Sequence, residues 1–371
     1  MSKWQKTIAP LANDVEEFVD RIKHRLEDRF GGPEPIKVMP LAAFTYPGGL
    51  FIKGRVLHQR HPIISTDNHN VWDDLLDFYR RMNSDEIPNA HLRIHAGAEI
   101  RNLQCDEEGY FELNLALSIV QPQLGTVQLE WLPEPEAEPA MEPAKTAILS
   151  VPLVKNSNMA RFGVISDVDD TLLVTNVHNL FGLARSLISG RASQRSPFPG
   201  VPALYRGLQA GVNPLFFVSS SPWNLYDLLE ETFDYHGLPE HVTFLRDWGI
   251  SDQEILPTDN IDYKLGMLRL ITSLFPELPF LLIGDSGQQD PEIYARFILE
   301  NPGRILGVYI RDVSPDPRRD AAIQAIKTSS IPLLLAADSL SMARDAAARG
   351  WLNPDVLAPI ETDQSRSGSG G

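Results

Sequence analysis

The spacing of apolar residues changes twice along the chain. Between residues 13 and 30, Val15, Phe18, Val19, Ile22, Leu26 and Phe30 recur at helical spacing with acids and bases on the other face. Gly31, Gly32 and Pro33 then stop the pattern. This predicts an N-terminal amphipathic helix. From about residue 36 to 154 the period becomes two, predicting strands over 36–41, 50–57, 91–103, 109–117, 126–132 and 146–154. Phe111, Leu113, Leu115 and Leu117 alternating with Glu112, Asn114 and Ala116 describe a strand with one wet face. A helix over 71–82 interrupts the series, and the Pro- and Glu-rich run 133–145 is a solvated excursion. Beyond residue 156, short apolar strands (162–166, 214–219, 242–245, 280–283, 305–310, 332–336) alternate with helix-length segments, among them 261–274 and a last helix over 339–349. That alternation predicts a parallel sheet wrapped by helices. The expected organisation is a helix (1–34), a β-sandwich-like domain (35–155), an α/β domain (156–362) and a disordered tail (363–371).

Composition narrows the function classes. The 371 residues suit two domains, and 43% hydrophobic with 22% charged residues is a globular mixture. Against 33 Lys and Arg stand 49 Asp and Glu, a formal charge of −16. This argues against a general nucleic-acid binder, which needs a broad basic surface. The single cysteine, Cys105, excludes an internal disulfide and a Cys-based zinc site, and suits a reducing compartment. His58, His61, His69, His91 and His95 lack HExxH-like spacing and read as surface or core residues. The strongest apolar runs, such as 214–218 and 279–283, fall far below the about 20 residues that span a bilayer. The expectation is a cytoplasmic protein, with peripheral contact to a membrane left open.

In an open α/β sheet, ligands bind beyond the carboxyl ends of the strands. Three of the strand ends here carry Asp167, Asp169, Asp170 and Thr171; Ser219, Ser220 and Ser221; and Asp285, then Asp290. Carboxylates brought together repel and are pushed towards protonation unless a cation shares the site. Hard oxygen donors suit Mg²⁺, which leaves positions open for phosphate. Lys264, early in the helix over 261–274, would supply a fixed positive charge. The bland alternative is that strand-end acids cap helices and turns. Asp290 before Pro291, and Ser221 before Pro222, fit such caps. Asp170 reads as facing a solvated loop, Trp223 as core, and Arg246 as either a phosphate ligand or an ion-pair partner of Asp247.

Asp167-x-Asp169-x-Thr171, Ser219, Lys264 and Gly284-Asp285-x4-Asp290 together resemble the four motifs of the haloacid dehalogenase superfamily of phosphatases. More narrowly, VISDVDDT (164–171), VSSSPWNL (218–225), Tyr263-Lys264 and IGDSGQQDPEIY (283–294) are similar to the actin-patch-protein type of Mg²⁺-dependent phosphatidate phosphatases, and the first motif to that of lipins. The resemblance implies a haloacid dehalogenase-like, Rossmann-like sheet with a small helical cap. It implies Asp167 as nucleophile, Asp169 as acid–base with its carbonyl on the metal, and Lys264 as charge compensator. Thr171 would steady Asp169, and the phosphate would be bound by Thr171, Ser219, Ser220, Lys264 and Arg246. Mg²⁺ would be held by Asp167, Asp169, Asp285 and Asp290, the last directly, through water, or by holding Lys264. At Ser219-Ser220-Ser221 the middle residue departs from the Asn of the family.

Only residues 172–213 separate the first two motifs, room for one helix (178–188, with Leu180, Leu183, Leu187 and Ile188 on one stripe) and a loop over 190–200. An open site follows, fit for a phosphate on a bulky carrier such as a lipid at a membrane surface, with Leu180, Phe181 and Phe198 as candidates to touch acyl chains. The expected reaction is phosphatidate to diacylglycerol and phosphate. Its alternatives are a soluble, protein or nucleic-acid-end phosphate as substrate, or a non-catalytic interaction module.

Overall fold

The computed structural model describes residues 36–58, 87–116, 124–132, 148–173, 197–247, 260–313 and 317–368. The predicted helices over 13–30, 71–82 and 178–188 and the excursion over 133–145 lie outside the described residues.

Two antiparallel sheets come first in the chain. β1 (Ile36–Tyr46), β2 (Gly49–His58) and β5 (Tyr110–Ala116) form one, in the order β1-β2-β5. β3 (His91–Ala96), β4 (Glu99–Gln104), β6 (Thr126–Leu132) and β7 (Ile148–Pro152) form the other, in the order β4-β3-β6-β7. Leu50, Ile52 and Phe111 of the first share a core with Leu92, Ile94, Val127 and Leu129 of the second, the face-to-face burial of a β-sandwich. Two strands differ from the sequence reading. The single strand expected over 91–103 is a hairpin, β3–β4, in which Ala96 pairs with Glu99 and Gly97 adopts φ 65°. A two-residue turn preserves the period of two through the reversal, so Ile94, Ala96, Ala98 and Ile100 alternate as one strand would. β1 runs to Tyr46, past the expected end at 41, because the register shifts between Pro40 and Ala42 and interrupts the alternation there.

The second half is a six-stranded sheet of β8 (Gly163–Ser166), β9 (Leu215–Pro222), β10 (Val242–Arg246), β11 (Phe280–Asp285), β12 (Ile305–Arg311) and β13 (Leu333–Ala336). All pairings are parallel and the order is β10-β9-β8-β11-β12-β13. This is the doubly wound arrangement whose switch point lies between β8 and β11, where a crevice opens at the carboxyl ends. The helices are α1 (Val201–Gln209), α2 (Tyr226–Tyr235), α3 (Asn260–Leu274), α4 (Asp290–Glu300), α5 (Asp320–Thr328), α6 (Ser339–Ala348) and α7 (Leu357–Gly368). One face of the sheet buries Leu204, Leu208, Phe233 and Met342. The other buries Leu265, Leu268, Ile271 and Phe297, and there Phe44 and Phe51 of the antiparallel sheet join the same core. The Phe44 ring stacks on Phe275 (6.2 Å, 15° between planes) and meets Phe216 edge-on at 5.5 Å.

The tail expected to be disordered from residue 363 is helical as far as Gly368. Ile360 is fully buried and Asp363 accepts a 2.6 Å hydrogen bond from the amide of Gly200. Gly200, at φ 80°, has no room for a Cβ, which would lie 2.7 Å from Ile360. The polar composition of this end hid its docking through Ile360, beside which Leu357 packs on the same core.

A cluster of charged and aromatic groups joins the two halves. The Arg55 guanidinium lies against the rings of both Tyr110 (4.2 Å) and Trp223 (4.4 Å) and donates to the Glu108 carbonyl at 2.6 Å. Trp223 is buried there, as expected of a core residue. The Glu108 side chain hydrogen-bonds that of Asp247, and this contact, with desolvation and the Asp247 charge, outweighs Arg55 and raises the Glu108 carboxyl from 4.5 to about 7. A proton shared by two carboxyls stabilises the fold fully below 4.5, and that contribution is lost as pH rises through about 7. Glu108→Gln, which mimics the protonated acid, should therefore match the wild-type melting temperature at about pH 5 and exceed it at about pH 8. Thermal melts of both proteins at the two pH values check this, and an identical difference at both would refute it.

Candidate active site

The turn after β8 sets the geometry. Asp167 keeps its amide in the sheet, donating to Ile283 at 2.9 Å, and the chain then folds back so that Leu172 N reaches Val168 O at 2.9 Å. Asp170 occupies the left-handed position at φ 58°, a conformation that Asp tolerates better than most residues. It does not join the acid cluster.

Asp167, Asp285 and Asp290 do. Each is buried, and one carboxylate oxygen of each lies within 4.8 Å of the others. Lys264, buried on α3, bridges two of them: Nζ donates to Asp167 Oδ1 and to Asp290 Oδ1, both at 2.7 Å. Asp290 Oδ2 accepts from the Asp285 amide at 3.2 Å, so each carboxylate oxygen has a partner within the site. The cap reading for Asp290 is thereby corrected: α4 begins at Asp290, but the carboxylate turns inward to a buried cation. Gly284 makes room for it, since a Cβ there would stand 2.5 Å from Asp290 Oδ2. Asp285 Oδ1 accepts from the amides of Gly287 (2.6 Å) and Gln288 (2.8 Å), while its Oδ2 has no hydrogen-bond partner among the described residues.

Asp169 sits beside this cluster. Its Oδ2 accepts from Ser219 Oγ at 2.8 Å and Ser221 Oγ at 2.9 Å, and its Oδ1 has no partner among the described residues. Its backbone carbonyl accepts from Gln288 Nε2 at 3.0 Å. Ser221 does not form the cap expected of it: Pro222 belongs to β9 and the hydroxyl is spent on Asp169. Alternation along a strand puts Ser219 and Ser221 on one face and Ser220 on the other, so extending β9 by three residues would have revealed the pair. Gln288 had no signal in the sequence. Thr171 differs from expectation as well, for its hydroxyl donates to Asp167 Oδ2 at 3.2 Å rather than steadying Asp169. Arg246 donates to Asn260 Oδ1 at 2.5 Å and lies 5.9 Å from the centre of the Tyr263 ring. Phe198 packs against the core of the α/β sheet.

The electrostatics follow from burial and crowding. Desolvation drives Asp167 well above the usual carboxylate range; Lys264 opposes this, and Asp290, Asp285 and Asp169 add to it. Asp285 rises to about 8, by burial first and then by the Asp290 charge. Asp169 is raised by desolvation, against which the two serine hydroxyls work. Burial pushes Lys264 towards its neutral form, but Asp167 and Asp290 prevail and hold it charged. Three acids against one lysine leave an excess of negative charge in a low-dielectric site. The oxygen-only donor set and the partnerless Asp285 Oδ2 fit a metal ion, which this cluster could hold.

Residues 162–312 match the family described as "Phosphatidate phosphatase APP1, catalytic domain". All of the acids, Lys264 and the serines of the site fall within this span, whereas the two antiparallel sheets precede it. The phosphatidate phosphatase APP1 of Saccharomyces cerevisiae is 33% identical over 154 residues, 40% of this chain and 25% of that protein. An uncharacterized protein of Schizosaccharomyces pombe is 30% identical over 194 residues, 51% of this chain and 31% of its own. The chain thus spans between a quarter and a third of the length of the curated relatives it matches. A HAD family hydrolase from Deinococcus radiodurans R1, solved with bound phosphate and sodium, is 15% identical at a TM-score of 0.32, covering 53% of this chain and 99% of that one.

Proposed function

We propose that this chain is a Mg²⁺-dependent phosphatase that hydrolyses a phosphomonoester through an aspartyl-phosphate, with phosphatidate as its substrate and diacylglycerol and phosphate as products. The observation that carries the reading is the division of labour between two carboxylates of one turn. Asp167 is held by Lys264 at one oxygen and Thr171 at the other, as a nucleophile must be held, while Asp169 rests on two serine hydroxyls with one oxygen left over.

In this mechanism a carboxylate oxygen of Asp167 bonds to phosphorus as the ester oxygen leaves, and Asp169 gives that oxygen its proton. Asp169 then takes a proton from water, whose oxygen attacks phosphorus and releases Asp167. The charged Lys264 offsets the negative charge of the nucleophile and of the phosphoryl oxygens. Asp167, Asp285 and Asp290, with the Asp169 carbonyl, would hold Mg²⁺, which supplies further neutralisation and lets an anionic nucleophile approach an anionic ester. Ser219 serves the phosphate by orienting Asp169; Ser220 and Arg246 are assigned to the entering phosphate or headgroup.

The lipid substrate is supported by likeness to the yeast phosphatidate phosphatase. Among the described residues no helix is long and apolar enough to cross a membrane, so the lipid would be met at the bilayer surface, by a protein we place in the cytoplasm with peripheral membrane contact. Within this reading residues 156–362 form the catalytic domain and 35–155 the β-sandwich-like domain. Phosphate release from phosphatidate liposomes and from a soluble aryl phosphate, each with Mg²⁺ or with EDTA, tests both levels. Metal-dependent release from both, faster from liposomes, is expected. Release from neither would end the phosphatase reading, and preference for the soluble ester would end the lipid one.

A further inference from the structure

We propose that Arg311 is a positioning residue for the reaction, one that fixes the turn carrying Asp167 and Asp169 through the carbonyl of Thr171. This rests on the phosphatase reading and names a group outside the four motifs. Arg311 ends β12, two strands away from β8, and its side chain reaches the turn that follows β8. Its Nε donates to Thr171 O at 3.0 Å, its Nη2 to Ser339 Oγ at 3.0 Å, and the guanidinium lies 4.4 Å from the centre of the Phe198 ring.

The reasoning turns on what a buried cation is for. Arg311 is 3% exposed, and these three contacts are a carbonyl, a hydroxyl and a ring rather than a carboxylate. Burying a guanidinium in this way is expensive, and a residue that served only to fill space would be better as Met or Leu. Burial accordingly weakens its hold on its proton, against a pull from Tyr205, Asp338 and Asp285. The contacts it makes converge on the acids. Thr171 is held at its carbonyl by Arg311 and reaches Asp167 Oδ2 with its own hydroxyl, so a shift of Thr171 moves the nucleophile. On the main chain, Arg311 pairs with Asp285 and its carbonyl accepts from Ser286 N at 2.9 Å. One residue therefore ties the first-motif turn to the fourth-motif turn. Ser339, the buried first residue of α6, and Phe198, whose amide is tied to Leu172 O at 2.9 Å, fix the plane of the guanidinium. A planar fork can satisfy these directions together, which an ammonium cannot.

Misplacing a reacting group by about 1 Å costs on the order of 100-fold in rate. Arg311→Met should thus lower kcat on an aryl phosphate by about 100-fold with KM changed less than about threefold. The rate of phosphoenzyme formation, measured per folded molecule in a single turnover, should fall equally, and methylguanidine should restore part of it in Arg311→Ala. A purely structural role would instead lower the folded fraction and leave kcat per folded molecule intact. Arg311→Lys, which keeps the charge without the fork, is read the same way and decides the matter if Arg311→Met does not fold. Unimpaired kcat in whichever variant folds overturns the proposal. A wild-type protein inert towards every ester would indicate failure of the phosphatase reading instead.

Discussion

Asp167→Asn should abolish phosphate release, by about four orders of magnitude or more, while the melting temperature stays within a few degrees of the wild type. Asn has the shape of Asp and its amide oxygen can still accept from Lys264 Nζ, which sits 2.7 Å from Asp167 Oδ1. An amide is not a nucleophile towards phosphorus, so chemistry stops with the pocket intact. Stability is spared because two effects oppose. The variant loses the Coulombic part of the Lys264 contact, but it also removes one of three crowded anions, whose neighbours Asp290 and Asp285 both disfavour its ionised form. Asp169→Asn separates the two roles. It should lose turnover of alkyl phosphates, whose leaving oxygen needs a proton. With an aryl phosphate, whose leaving group needs none, it should still phosphorylate Asp167 once. Phosphate release, calorimetry and mass spectrometry of the trapped protein read all three outcomes. Full activity in Asp167→Asn would remove the nucleophile from the proposal.

Much of the α/β half was legible because its strands are short apolar runs between helical segments, and all six expected strands match observed ones to within a few residues. Their order needed coordinates, since sequence alternation indicates parallel strands without saying which pair flanks the switch point. In the antiparallel half, periodicity marked faces well and reversals badly. The Gly97 turn is the clearest case, because a two-residue loop leaves alternation unbroken. α7 was missed for the opposite reason: a polar, Ser- and Gly-rich end looks unstructured, although burial of Ile360 docks the helix.

At the site, the charged residues could be read and their partners could not. Asp167 and Asp285 stand at strand ends and Lys264 and Asp290 early in two helices, and the sheet order brings all four to a common edge. Which acid each hydroxyl meets depends on strand length and on side-chain direction. Thr171 turned out to serve Asp167, and Ser221 to serve Asp169, because the first-motif turn folds tightly and β9 runs on to Pro222. Gln288 and Arg311 act through backbone carbonyls, which carry no sequence signature at all.

Lys264→Met should both eliminate turnover and destabilise the fold, by about 3–5 kcal/mol, the usual consequence of removing one partner from a buried ion cluster. Lys264 is 4% exposed and supplies the positive charge in direct contact with Asp167 and Asp290. Methionine fills the space and leaves three carboxylates facing one another without it. Two further measurements separate the structural from the chemical part of the effect. In the double variant Lys264→Met with Asp290→Asn, one orphaned anion is gone, so much of the lost melting temperature should return while turnover does not. Mg²⁺ should raise the melting temperature of Lys264→Met, since a cation bound by the folded acids and not by the unfolded chain stabilises by mass action. A Lys264→Met protein that melts with the wild type would mean that the acids are compensated by something other than the lysine. Recovered activity in the double variant would mean that Lys264 acts only to restrain Asp290, and that the phosphoryl group is neutralised from elsewhere.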